Sequence, residues 1–277
     1  MWTNMISGIV GNVLLNQLTQ SSKEVAESFE RLSTGLRIHS AADDAAGLAI
    51  ATRLESQERG LAMSERNAQM GISMIQTADS ALGSVTEDTQ RIRELTVKAA
   101  NGTLSDADRQ AIQEEINALR ENVDYTLGSA EFNTKKLFEG HTETFQIGPD
   151  SSGQMSVAFP EMSGESLGLG AIDVTTQAGA ETAITQAGDA LDTVLSARTE
   201  LGASQNRLES ALDYLGGARI DTASALGTIR SANMFEEAMN QTRSMTQLES
   251  QLMLLGQLKN LDRGVVSLLL GGDRSNG

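Results

Sequence analysis

One register of alternating three- and four-residue steps runs through residues 184–229, carrying Ile184, Ala187, Leu191, Val194, Leu201, Leu208, Leu212, Leu215, Leu226 and Ile229. Side chains at that spacing share one face of an α-helix, so the stretch predicts a helical seam roughly a dozen turns long. Arg198, Gln205 and Arg219 interrupt the register, and a uniform two-helix zipper does not readily hold such groups. The chain is therefore expected to pack lengthwise, against a second helix of its own and laterally against other copies.

That second helix is expected over residues 43–99, where Leu48, Leu54, Leu61, Ala68, Ile72, Ile75, Leu82, Val85, Ile92 and Leu95 recur. At 1.5 Å per residue it would be roughly 85 Å long. Gly60, Gly71 and Gly83 each weaken such a helix by about 1 kcal/mol in isolation, so neighbours have to hold it. Asn101 and Gly102 supply a stop. An earlier amphipathic helix, residues 5–35, carries Leu15, Leu18, Val25, Phe29, Leu32 and Leu36, and residues 34–40 read as its connector.

Ser105 followed by Asp108 is a capping-box signal for a third helix, with Ile112, Ile116, Leu119, Val123 and Leu127 on one face and an end near Gly128. Glycine, serine and both prolines, Pro149 and Pro160, then gather in a region of about residues 132–174. Alternating pieces at 142–147 and 154–159 predict a small hairpin there. After Arg230 a final helix carries Met234, Ala238, Met245, Leu248, Leu252 and Leu255. Its methionines suit either an adaptable interface or ordinary core filling. Residues 271–277 are expected to be disordered.

The fold class expected is mainly α: a long antiparallel helical coiled-coil bundle with a small β-hairpin region at its tip. Only 3% of the 277 residues are aromatic, so the core has to be aliphatic and thin. Such a rod leaves apolar stripe uncovered unless copies pack together, and a head-to-tail contact that does not close builds a filament. The formal charge of −16 argues against nucleic acid and against anionic membrane surfaces as partners. Cysteine is absent, which removes disulfides and thiolate metal sites. No Lys or Arg precedes Lys23, so the basic start of a cleaved signal peptide is missing, and no apolar run is long enough to span a bilayer.

No catalytic constellation is complete. Residues 164–168 match G-x-S-x-G, yet the only histidines, His39 and His141, both precede Ser166, whereas the usual order puts the base histidine later. Neither histidine lies in a zinc-binding pattern, and Gly168 to Gly170 lack the rest of a dinucleotide fingerprint. Asp43 and Asp44 read as helix-capping carboxylates rather than an acid–base pair. Neither a cofactor nor a metal is expected. Arg91, Leu95 and Lys98 share a helix face that by spacing alone is a solvated, charged one.

The blocks RLSTGLRIHSAADDAAGLAIA, RNAQMGISMIQTADSAL, RIRELTVKAANGT and LGASQNRLESAL resemble bacterial flagellin, in the usual order and over 75 to 80% of the chain. The resemblance implies a self-polymerising structural subunit of the flagellar filament, not an enzyme, secreted to the extracellular flagellum through the type III export apparatus. It implies an inner filament-core domain, residues 1–42 plus 233–277, and a middle helical-bundle domain, residues 43–232, without a large outer domain. Leu15, Leu18, Phe29, Leu32, Leu36, Met245, Leu248, Leu252 and Leu255 are the expected assembly residues. Implied partners are the filament cap, hook-associated proteins and an export chaperone on the C-terminal helix. Arg91, Leu95 and Glu115 match positions through which the innate immune receptor TLR5 recognises flagellins, with Lys98 where glutamine is usual. Two blocks depart from the family pattern: the opening MWTNMISGIVGN and LLGQLKNLDRGVVSLLL near the end.

The alternative within the same machinery is a hook–filament junction protein. DDAAGLAIA and LGASQNRLESAL favour flagellin, because junction proteins commonly read S-D-D-P in the first block. A coiled-coil scaffold explains the seams but not the matched blocks.

Overall fold

The computed structural model describes residues 2–271, and the surroundings of side chains for residues 9–260. Its helices are α1 (Trp2–Thr34), α2 (Ala45–Ala99), α3 (Asp106–Ser129), α4 (Gln177–Arg230) and α5 (Met234–Gly271). Between α3 and α4 lie the short pair β1 (Glu131–Phe132) and β2 (Lys135–Lys136), and the longer hairpin β3 (Glu139–Gln146) and β4 (Gln154–Glu161). The chain divides into two compact units, one from the chain ends up to Glu55 and from Ala223 on, the other from Ser56–Thr222. The expected disorder at 271–277 falls, beyond Gly271, outside the described residues.

In the unit of residues 56–222, α2 buries Leu61, Ser64, Ala68, Gly71, Ile75, Ala78, Leu82, Val85, Thr89, Ile92, Thr96 and Ala99. That is an unbroken alternation of three and four, the heptad geometry of helices that supercoil. The serine and threonines in it are satisfied locally: Thr89 and Thr96 donate to the carbonyls of Val85 and Arg93 at 2.7 and 2.8 Å, and Ser64 to Gly60 at 3.0 Å. Buried hydroxyls so paired carry little of the cost of an unsatisfied polar group.

The seam of α4 differs from the one expected. Ala187, Val194, Leu201, Leu208 and Leu215 are buried, but the companion row is Ala183, Ala190 and Ala197, one residue before the expected Ile184, Leu191 and position 198. Alanine lets the helix axis approach closely, and the larger side chains beside it cover the flank half-buried. Arg198, Gln205 and Arg219 therefore do not interrupt the seam; they stand on its edge. Arg198 donates to Asp79 at 2.8 Å, Arg219 to Glu65 at 2.6 Å and to Glu58 at 3.2 Å, and Gln205 to Glu209 at 2.8 Å. The rungs run backwards along α4 as they advance along α2, so the two helices are antiparallel here.

α3 closes the core with Ile112, Ile116, Val123 and Leu127. Its capping box is formed as expected, Ser105 Oγ accepting from the Asp108 amide while Asp108 accepts from the Ser105 amide at 3.0 Å. The strands β3 and β4 pair antiparallel with His141 opposite Phe159 and Phe145 opposite Met155. Met155, Val157 and Phe159 alternate inward, the period-two pattern of a strand with one buried face. The pair β1 and β2 was not expected; its turn takes Asn133 and Thr134 at φ 49 and 67, the left-handed pair a two-residue hairpin requires.

In the unit of the chain ends, Arg31 on α1 reaches Glu237 on α5 at 3.3 Å, which sets the last turn of α1 beside the first turn of α5 and makes the pair antiparallel. The residues most buried in their seam are mainly small or polar: Leu14, Ser21 and Ser28 on α1, Glu237 and Ser244 on α5. Gly35, at φ 70, ends α1 by donating to the Arg31 carbonyl at 2.8 Å. The two connectors then pair with each other, the Arg37 amide on the Arg230 carbonyl at 2.7 Å and the Ala232 amide on the Gly35 carbonyl at 2.9 Å. Asp44 caps α2 through the Gly47 amide at 2.8 Å, and Asp43 holds the preceding turn through the amides of His39 and Ser40. The backbone donors, Ser40 first, hold the Asp43 carboxyl below its ordinary pKa.

Candidate assembly surfaces

An amphipathic helix pair normally turns its apolar residues inward. The pair α1 and α5 does so only in part. Leu18, Leu32, Leu248 and Leu255 are half-buried along the pair, and Leu36 is half-buried in the connector. Leu15, Phe29, Met245 and Leu252 are exposed. The nine residues expected to mediate assembly thus split into a set that holds the pair together and a set left for something else to cover.

Other exposed apolar residues join the second set. Val10 and Val13 lie on α1, and Met234, Phe235, Met239, Met253 and Leu254 on α5, with Phe235 75% and Met253 69% exposed. Most of these lie off the three-and-four register, which selects the residues facing a partner helix. The signal for them was the surplus of apolar residues on α5 beyond one stripe. A groove of about 930 Å³ between α1 and α5 is lined on one side by Gln17, Ser21 and Glu24 and on the other by Phe235, Met239 and Ser250.

On α2 and α3, Arg91 donates to Glu115 through Nη2 at 2.8 Å and Nε at 3.2 Å, and to Glu94 at 3.2 Å. The Glu115 hydrogen bond raises the Arg91 pKa above its ordinary value. Arg91 and Glu115 are exposed; Leu95, at 1% exposure, is a core residue. Its side chain packs within the chain, which corrects the expectation that it stands on the surface beside Arg91.

Arg109 was missed. It is buried and donates to the carbonyls of Ala99, Asn101 and Leu104 at 2.8, 3.2 and 2.9 Å, fastening the turn between α2 and α3. Carbonyls at a helix end lack intrahelical donors, and a planar five-donor guanidinium can serve several at once. The residues that resembled catalytic parts have other uses. Ser166 Oγ accepts from the Ser163 amide at 2.8 Å and donates to its carbonyl at 3.0 Å. His141 stacks on Phe159 at 5.4 Å between ring centres, and His39 lies 3.2 Å from Glu30. Among the described residues no three His, Asp or Glu side chains are grouped to hold a metal, and no helix is long and apolar enough to cross a membrane.

Long heptad-packed helices, with apolar residues left exposed on a pair of terminal helices, define a structural protein built for packing. The bacterial flagellin N-terminal helical region matches residues 7–143 and the bacterial flagellin C-terminal helical region residues 184–269. Flagellin of Bacillus subtilis (strain 168) is 36% identical, over 92% of this chain and 96% of its own. Flagellin of Halalkalibacterium halodurans is also 36% identical, over 88% and 91%. A Vibrio parahaemolyticus chain described as a flagellar hook-associated protein is 17% identical with a TM-score of 0.58, over 68% of this chain and all of that one. At that identity the likeness is one of fold alone. The chain belongs to the bacterial flagellin family. It is a structural subunit of the flagellar filament and not an enzyme, and only residues 144–183 separate its two family regions, with no large outer domain between them.

Proposed function

We propose that the helices at the two chain ends, residues 1–42 with 233–277, form the inner layer of the filament, that residues 43–232 form the middle layer, and that the exposed side of α5 is a principal contact between copies. The observation that carries this reading is the mismatch within the α1 and α5 pair: Ser21, Ser28 and Ser244, with Glu237 at one end, are buried in the intramolecular seam, while Phe235, Met245, Leu252 and Met253 are exposed. Covering those residues with a neighbouring copy removes apolar surface from water, at about 25 cal/mol per Å².

The substitution Leu252→Asp tests it. Because Leu252 is exposed in the single chain, the variant should keep the helical signal and melting of the parent, while seeded elongation stops because an unpaired carboxylate would be buried at the contact. Normal filaments from Leu252→Asp would overturn the reading.

The same face suits the other partners. An export chaperone covering α5 before assembly would shield Phe235 and Met253, and the filament cap and hook-associated proteins would meet the same helical ends. Travel through the type III apparatus to the extracellular flagellum follows from that role. Recognition of the free subunit by TLR5 would rest on the exposed Arg91 and Glu115. Arg91→Ala should lower signalling in a receptor reporter assay, and unchanged signalling would sink that part.

A further inference from the structure

Nine of the eleven methionines have described surroundings, and they fall into sharply different environments. Met74, Met155 and Met162 lie in the core of the 56–222 unit, each 5% exposed or less. Met63 and Met70 are exposed on α2, and all four of the methionines described on α5, Met234, Met239, Met245 and Met253, are exposed. At about 100° per residue the four α5 thioethers fall within an arc of roughly 140°, with Phe235 and Leu252 among them and away from Glu237, Ser244 and Gln251. The α5 side left for another copy is therefore built largely on sulfur.

We propose that these four methionines are oxidation sites that make filament growth sensitive to hydrogen peroxide. This rests on the reading that the exposed side of α5 packs on a second copy. With hydrogen peroxide as the oxidant no further reagent is needed: the Sδ lone pair attacks one peroxide oxygen, the O–O bond breaks as the S–O bond forms, and the proton on the attacked oxygen passes through water to the departing hydroxide, which leaves as water. Sulfur is oxidised to the sulfoxide and the peroxide is reduced. The product replaces a flexible apolar contact with a strong acceptor that water satisfies and a dry interface does not. Burial on assembly would also protect the same sulfurs, so the sensitivity belongs to the free subunit and the growing end.

The test uses the whole chain. Subunits partly oxidised with peroxide are offered to seeds, filaments are sedimented, and sulfoxide is mapped at each methionine by peptide mass spectrometry in the filament and unincorporated fractions. The expectation is depletion from the filaments of about tenfold at Met234, Met239, Met245 and Met253, from burial of one unsatisfied polar group. Met74, Met155 and Met162 should stay reduced in both fractions, and methionine sulfoxide reductase should restore incorporation. Equal sulfoxide at the four sites in both fractions overturns the inference, as does a failure of these sites to oxidise where Met63 and Met70 do. If oxidised chains incorporate while Leu252→Asp does not, the oxidation inference fails and the assembly reading stands. If both grow normally, the assembly reading itself fails.

Discussion

Gly71 and Gly83 look alike in the sequence, each a glycine inside a 55-residue helix, and they have opposite roles. A Cβ built on Gly71 would come within 3.0 Å of Leu208 and 3.4 Å of the Phe145 ring, so the missing side chain lets the hairpin and α4 close on α2. Nothing lies within 4 Å of a Cβ at Gly83. Gly83→Ala should therefore raise stability by about 1 kcal/mol, the helix-propensity difference. Gly71→Ala should lose that gain to crowding and melt no higher than the parent. Calorimetry of the two variants decides it, and a larger gain at Gly71 would contradict the packing described. The sequence marked both as weak points of one helix; only the neighbours distinguish them. Arg109 was illegible for the same reason, since its three carbonyl partners are a feature of the folded turn.

The short-range signals for elements were read directly. Ser105 and Asp108 form their box because the whole motif lies within four residues, and the hairpin strands declared themselves by alternation. One of the two rows of the α4 seam lies one residue from the expected one, because Ile184 and Leu191 are larger and more apolar than the alanines Ala183 and Ala190 that are buried instead. The turn at Asn133 and Thr134 escaped notice because it contains no glycine. The caps predict an acid response. Asp108 is held below its ordinary pKa first by the Ser105 hydroxyl, and Asp173 first by the Thr175 amide. A depressed folded-state pKa adds stability that is present above the unfolded aspartate value, about 3.9. It is lost as pH falls further, through the folded values. Ser105→Ala should cost about 1 kcal/mol at neutral pH and, by returning Asp108 toward its ordinary value, flatten the fall in stability below pH 4 in acid titrations followed by circular dichroism. An unchanged acid limb would contradict the assignment.

At the scale of the molecule, the mainly helical class with its small hairpin, and the family through its four blocks, were legible in the sequence, whereas the split between residues that hold α1 to α5 and residues left exposed needed the structure. Residues such as Leu252 and Leu255 have the same chemistry and lie three positions apart, yet one is exposed and the other half-buried. A net charge of −16 makes copies repel at long range, so cohesion has to come from short-range apolar contact. The most direct measurement is an electron cryo-microscopy map of filaments grown from this chain, at a resolution that traces side chains. Phe235, Leu252 and Met253 are expected to be buried against neighbouring subunits, with Ser21, Ser244 and Glu237 still buried in the seam between α1 and α5 of one subunit. A map in which the three α5 residues face solvent would contradict that expectation.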